Sequence, residues 1–315
     1  MLQHSMTLYL TTVLIWGSTF YAIKFQLGTV AVEVSIAYRF ILAALLILAY
    51  CAVRGRRLRF TARDHAWMAL QGLMLFGANY LLVYLATSLL TSGLIALLFS
   101  SIIFMNIALS MLLFRRPIEA PVVAGALLGL TGIGLVFWPE LTVLDTSSTA
   151  LRGVGLALLG TLVASFGNMV SVRNQGTGLP IVQTNGYGMG YGGLLMALWA
   201  VGQGLPFSFE PTLGYSLSLV YLALFGSVIA FGSYLTLLGR IGPARAAYAM
   251  VLFPLVALAL STLFEGYQWT AAAFAGMVLA VIGNVLALAV GRPDRPVTAV
   301  TRPSHAGRAA PACAE

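Results

Sequence analysis

Apolar windows near the roughly 20-residue length that spans a bilayer as a helix follow one another along almost the whole chain. They fall at 7–25, 31–53, 65–87, 91–114, 120–138, 152–174, 181–203, 212–238, 243–264 and 269–291. Hydrocarbon offers no partner to an unpaired backbone N–H or C=O, so only helices and closed barrels can cross it. These windows are too long and too uniformly apolar for barrel strands, which alternate polar and apolar positions. The expectation is therefore an all-α integral membrane protein with ten transmembrane helices. With 60% of residues hydrophobic and 8% charged, the chain has too few charges to coat a soluble surface. The start, MLQHSMTLYLTTVLIWGSTF, has neither a basic region nor a small-residue cleavage pattern, so it reads as a retained first helix. Cys51 sits in an apolar run and Cys313 in a polar tail, which implies no disulfide framework.

The chain also matches itself. At an offset of 150, Tyr234-Leu235 falls on Tyr84-Leu85, Ala246 on Ala96, Thr161 on Thr11, Gly167 on Gly17 and Phe166 on Trp16. One position further on, Ala275-Gly276 falls on Ala124-Gly125 and Gly283 on Gly132. One half written twice predicts a first five-helix repeat over 1–138, an external linker over 139–151 and a second repeat over 152–291, followed by a disordered cytoplasmic tail over 292–315. An odd number of spans per repeat makes the second half enter the membrane from the opposite side, so the repeats are inverted.

Basic residues orient the whole. The Arg54–Arg63 loop, Arg115 and Arg116, Arg173, Arg240 and Arg245, and the tail after Gly291 share the side of the N-terminus, whereas only Lys24 and Arg152 fall opposite. By the positive-inside rule both termini are cytoplasmic, as in a multi-pass protein of the cell (inner) membrane. The net charge of +8 is thereby explained by topology, with no nucleic-acid partner expected.

Taken in order, W-G-S-T-F at Trp16 to Phe20, the pair Arg39-Phe40, and LFPLVALALSTLFEGYQW with Pro254 and Glu265 resemble the EamA family of the drug/metabolite transporter superfamily. That resemblance covers nearly all of the membrane region. It implies a ten-helix carrier, with export of amino acids or related metabolites as the activity. The first repeat departs from the pattern, having Phe104 where the second has Pro254 and Arg115 opposite Glu265. Arginine suits the cytoplasmic position of the former.

Inverted repeats place a substrate site near the midplane at their interface. The candidate lining residues are Trp16, Ser18, Arg39, Tyr80, Asn106, Asn168, Tyr187 and Tyr248, with the repeat-related Tyr84 and Tyr234 as candidate outer and inner gates. A mid-span amide wants a partner and an indole wants an acceptor. Tyrosines at such depths also serve interhelical packing or the interfacial belt. Arg39 lies about a third of the way into its window, where a charge costs roughly 2.5 to 3.5 kcal/mol. It is either a ligand for a carboxylate or phosphate, or a structural arginine held by carbonyls or snorkelling outward. Its repeat counterpart, Met189, lies in a run containing Gly186, Gly188, Gly190, Gly192 and Gly193, which allows close helix packing or a bend.

No Asp, Glu or His lies mid-span, and there is no Walker A sequence or metal-ligand spacing, so no cofactor is expected. The glycine faces at Gly125/Gly129 and at Gly276/Ala280 could pack within the monomer or form a homodimer seam. A secondary carrier for a small amphiphilic molecule in the lipid bilayer is the leading function. A membrane enzyme would need a base and nucleophile pair that is not visible here, and a passive channel would show flux that does not saturate.

Overall fold

A computed structural model describes residues 2–26, 28–87, 89–90, 95, 98–115, 120–136, 138, 148–265 and 269–289. Outside the described residues lie most of the expected linker (139–147) and the tail after Ala289, as do the side chains of Lys24 and Glu265.

The described chain is all-α. In order come α1 (Leu2–Lys24) and α2 (Val32–Val53), then α3, which runs as Ala62–Gly72, passes through a π-helical stretch at Leu73–Ala78 and continues as Asn79–Thr87. Next are α4 (Ile102–Phe114), α5 (Ala120–Val136), α6 (Ser148–Gly176) and α7 (Ile181–Gly202). Then α8 runs as Leu213–Tyr221, a π-helical stretch Leu222–Ile229 and Ala230–Ile241. Finally α9 has a first turn Pro243–Ala246 and a main body Ala249–Glu265, and α10 is Ala271–Ala289. By length and composition Ser5–Ile23, Val32–Val53, Ala62–Ala86, Thr149–Gly176 and Leu213–Ile241 can each cross a membrane, and four shorter apolar helices accompany them.

Local chemistry sets the ends. Thr61 Oγ1 accepts from the Asp64 amide at 3.2 Å while Asp64 Oδ2 accepts from the Thr61 amide at 3.1 Å. This capping box starts α3 three residues ahead of its hydropathy window. Thr212 Oγ1 likewise accepts from the Tyr215 amide at the start of α8, at an offset of 151 from Thr61. The two π stretches also superpose on the repeat offset, so the halves share an irregularity as well as a pattern. Helix α6 begins at Ser148, inside the expected linker of 139–151.

Polar groups point inward and apolar ones outward, the reverse of a soluble protein. Gln71, Ser100, Asn106, Thr161, Ser165 and Ser227 are fully buried, while Leu14, Leu45, Leu112, Leu198, Leu263 and Val285 are exposed. Lipid accepts the second set at no penalty and gives the first no partners, so the polar groups bond across helices. Small residues let backbones meet. A Cβ built at Gly132 would stand 2.5 Å from Gly276 O, and one at Gly283 2.6 Å from Gly125 O. Those two faces are thus consumed by α5 and α10 packing on each other within one chain. Of the two uses expected for Gly125/Gly129 and Gly276/Ala280, the described residues show packing within the monomer. The glycine run of α7 is used in the same way, against Ile47 and Ile41 of α2 and, at Gly188, against Gly72 of α3.

The halves interlock. Helices α1 and α2 of the first pack on α8 of the second, and α6 and α7 of the second pack on α3 of the first. At one end Gln26 Nε2, in the turn just after α1, donates to Tyr215 O of α8 at 2.9 Å. At the other, Asn174 Nδ2 of α6 donates to Trp67 O and to Gln71 Oε1 of α3. The same kind of tie is therefore made twice, with the repeats exchanged.

Candidate functional site

Arg39 is 4% exposed. Its Nε donates to Ser227 Oγ at 2.9 Å, and Ser227 Oγ donates in turn to Leu222 O at 3.0 Å. Leu222 lies five residues back, a spacing that the π-helical stretch of α8 provides by leaving carbonyls out of the ordinary i to i−4 ladder. The guanidinium stands 5.3 Å from the Phe40 ring centre and 5.4 Å from that of Tyr80. Among the described residues it has no ion pair. Glu33, the nearest carboxylate on its own helix, is six positions earlier, about 9 Å along the axis.

From Arg39 a chain of rings crosses the repeat interface. Tyr84 stacks on Tyr80 at 6.4 Å, Tyr80 meets Phe40 edge-on at 4.8 Å, and Phe40 lies 5.3 Å from Phe76. Phe76 meets Phe231 at 4.9 Å, and Phe231 meets Trp16 at 4.8 Å. The Trp16 indole donates to Gly226 O at 3.1 Å, a second carbonyl within the π stretch of α8. Edge-to-face pairs of this kind add about 0.5 to 1.5 kcal/mol each beyond their contact area. Trp16, Tyr80 and Tyr84 are half-buried, so this face of the interface retains accessible surface.

The other end is sealed. Tyr234 is 1% exposed and lies 5.1 Å from the Trp16 ring, and its hydroxyl accepts from Asn168 Nδ2 at 3.1 Å. Asn106 Oδ1 accepts from Ser165 Oγ at 2.6 Å and from Asn168 Nδ2 at 3.4 Å, while Asn106 Nδ2 donates to Pro243 O at 3.1 Å. The knot joins α4, α6, α8 and the start of α9. One acceptor in it, Asn168 Oδ1, is buried without a partner.

The structure brings Trp16, Arg39, Tyr80, Asn106, Asn168, Tyr84 and Tyr234 into one continuous array. Ser18 adjoins it, its hydroxyl 2.6 Å from that of Tyr221. Two candidates lie elsewhere. Tyr187 packs edge-on against His65 and donates to Leu58 O at 2.8 Å, which fastens the Arg54–Arg63 loop to α7. Tyr248 is fully buried. Its hydroxyl donates to Val122 O, and its carbonyl accepts from Asn284, whose side chain also holds Tyr9. Both tyrosines spend their polar atoms on helix packing. Ser227, Phe76 and Phe231 belong to the array but were not among the candidates. In an apolar stretch such as LALFGSVI a lone serine or phenylalanine looks like packing, and the only available signal was the Gly226-Ser227 break.

Comparison with known proteins bears on the whole chain. A family model for the EamA-like transporter family matches residues 4–138 and again 151–289, one block in each half. An Escherichia coli K12 protein named "uncharacterized inner membrane transporter YedA" is 28% identical over 297 residues, covering 91% of this chain and 92% of the relative. A Clostridium kluyveri protein named only as an uncharacterized transporter is 21% identical over 251 residues, covering 78% and 80%. A crystal structure with a TM-score of 0.74 and 20% identity covers 90% of this chain and 96% of its own, and it shares the fold. The doubled match, set over two halves whose packing, caps and π stretches repeat in the same way, makes this chain a membrane transporter of the EamA-like transporter family.

Proposed function

We propose that the chain is a secondary carrier of the inner membrane that exports a small amphiphilic metabolite, an amino acid or related compound, by alternating access between two inverted halves of five spans each. Both termini and the Arg54–Arg63 loop face the cytoplasm in this arrangement. Arg39 carries the proposal. A guanidinium buried at the repeat interface, hydrogen-bonded among the described residues through Nε alone and with aromatic rings beside it, is arranged to receive an anionic group. Residues forming the closed end, Tyr234 with Asn168 and Asn106, would part when the carrier turns to its opposite state.

The test is reconstitution in proteoliposomes with a panel of radiolabelled metabolites. Saturable uptake and exchange support the carrier, and flux that rises linearly with concentration would identify a channel. For any substrate with an anionic group, Arg39→Gln should weaken transport more than Arg39→Lys, because lysine keeps the charge and glutamine keeps neither charge nor fork. Equal transport by all three proteins at matched expression would make Arg39 structural.

A further inference from the structure

The surroundings of Arg39 narrow the substrate class. On the carrier reading above, and against its amino-acid alternative, we infer that the substrate is a small organic anion, a carboxylate on an aromatic or bulky apolar body, without a free ammonium group. With Nε fixed by Ser227, the two terminal nitrogens of Arg39 are left to meet a carboxylate as a planar fork. Phe40 and Tyr80 stand within 5.4 Å of the guanidinium, and Trp16 and Phe231 continue the apolar wall. A ring or branched chain attached to the carboxylate would lie along these faces.

No carboxylate among the described residues lies beside Arg39 to meet a second, positive charge. Among the described residues Glu33 is in the first turn of α2, Asp64 is spent on the cap of α3, and Glu210 accepts from Thr212 outside α8. Two carbonyls of the π stretch of α8 already accept from side chains, Gly226 O from Trp16 and Leu222 O from Ser227. Two unpartnered amide oxygens near the array are neutral acceptors: that of Asn168 lies beyond Trp16 and Tyr234, at the sealed end, and that of Asn79 belongs to the residue before Tyr80. A zwitterion would have to strip its ammonium of water and leave it without a charged partner, which selects against it. The repeat supplies no second cationic subsite either, since Met189 stands at the counterpart of Arg39 and Gly77 at that of Ser227. The other buried arginine, Arg245, belongs to the first turn of α9.

Three compounds that share a phenyl ring test this with the full-length protein in proteoliposomes: 3-phenylpropionate (anion), phenylalanine (zwitterion) and 2-phenylethylamine (cation). Fluxes are corrected for leak through protein-free vesicles. The expected result is saturable transport of phenylpropionate, at least about tenfold weaker transport of phenylalanine, and none of the amine. Arg39→Gln should remove the preference for the anion. Ser227→Ala, which releases Nε without touching the charge, should raise the KM for phenylpropionate several-fold. Ser227→Asp, which sets a carboxylate on the guanidinium, should abolish anion transport. Size-exclusion profiles identify any variant that fails to fold, and Ser227→Ala then carries the test. Phenylalanine transported as well as phenylpropionate, or an unchanged preference in folded Arg39→Gln, overturns the inference. If none of the three moves while another metabolite shows saturable flux, the class is wrong and the carrier stands. Absence of saturable flux for every compound takes down the carrier itself.

Discussion

Replacing Tyr234 by alanine should drive the protein toward the state open on the cytoplasmic side, by an amount the structure lets one work out. Three contributions are lost in the closed end. The hydrogen bond from Asn168 (3.1 Å) is worth about 0.6 to 1.7 kcal/mol between membrane helices. The ring pair with Trp16 (5.1 Å) adds about 0.5 to 1.5 kcal/mol. Emptying a fully packed site adds on the order of 1 to 2 kcal/mol of lost dispersion, less than in a soluble core because lipid supplies no hydrophobic driving force. The sum is about 2 to 5 kcal/mol, or roughly thirtyfold at the least in a two-state equilibrium. Tyr84, its repeat mate, is half-buried and stacks on Tyr80 at 6.4 Å. Its loss should therefore count for about 1 kcal/mol, roughly fivefold, and with the opposite sign. Tyr234→Phe isolates the hydrogen bond and should shift the balance about threefold to twentyfold.

Reporter cysteines read the shift in a protein lacking Cys51 and Cys313. A cysteine at Ser110, buried near the sealed end of α4, should react faster with an impermeant reagent from the cytoplasmic face in Tyr234→Ala. One at Thr19, near the C-terminal end of α1 and so external in the proposed orientation, should react faster from outside in Tyr84→Ala. Shifts of the same sign in both variants, or none in Tyr234→Ala, would refute the gate assignment and leave the two tyrosines as packing residues.

Three further outcomes are expected. Gly132→Val places a side chain where a Cβ already meets Gly276 O at 2.5 Å, so α5 and α10 must separate. Thermal unfolding in detergent should show a loss of about 1 to 3 kcal/mol. Thr61→Ala breaks the capping box of α3 and should lower stability by about 0.5 to 2 kcal/mol in the same assay, with Thr212→Ala doing likewise for α8. For topology, a cysteine at Ser147 should be labelled by an impermeant thiol reagent in intact cells and one at Arg57 should not; the reverse pattern would invert the orientation.

The sequence alone carried the architecture. Lipid leaves the backbone no option but to bond within its own segment, so hydropathy windows become helices, and a 150-residue offset becomes a doubled fold. Arg39 stood out for the same reason, since a charge at that depth needs an explanation. What a local pattern does not encode is which polar side chain meets which across the bundle. Asn106 and Asn168, 62 residues apart, form one knot with Tyr234, whereas Tyr187 and Tyr248, equally aromatic and equally deep in their windows, turn to a loop carbonyl and to α5. The π stretches at Leu73–Ala78 and Leu222–Ile229 are likewise invisible in hydropathy, because a shift of hydrogen-bond register leaves the apolar content of a segment unchanged. Tertiary packing alone set those registers, and with them the carbonyls that hold Trp16 and Ser227, and through Ser227 the direction in which Arg39 faces.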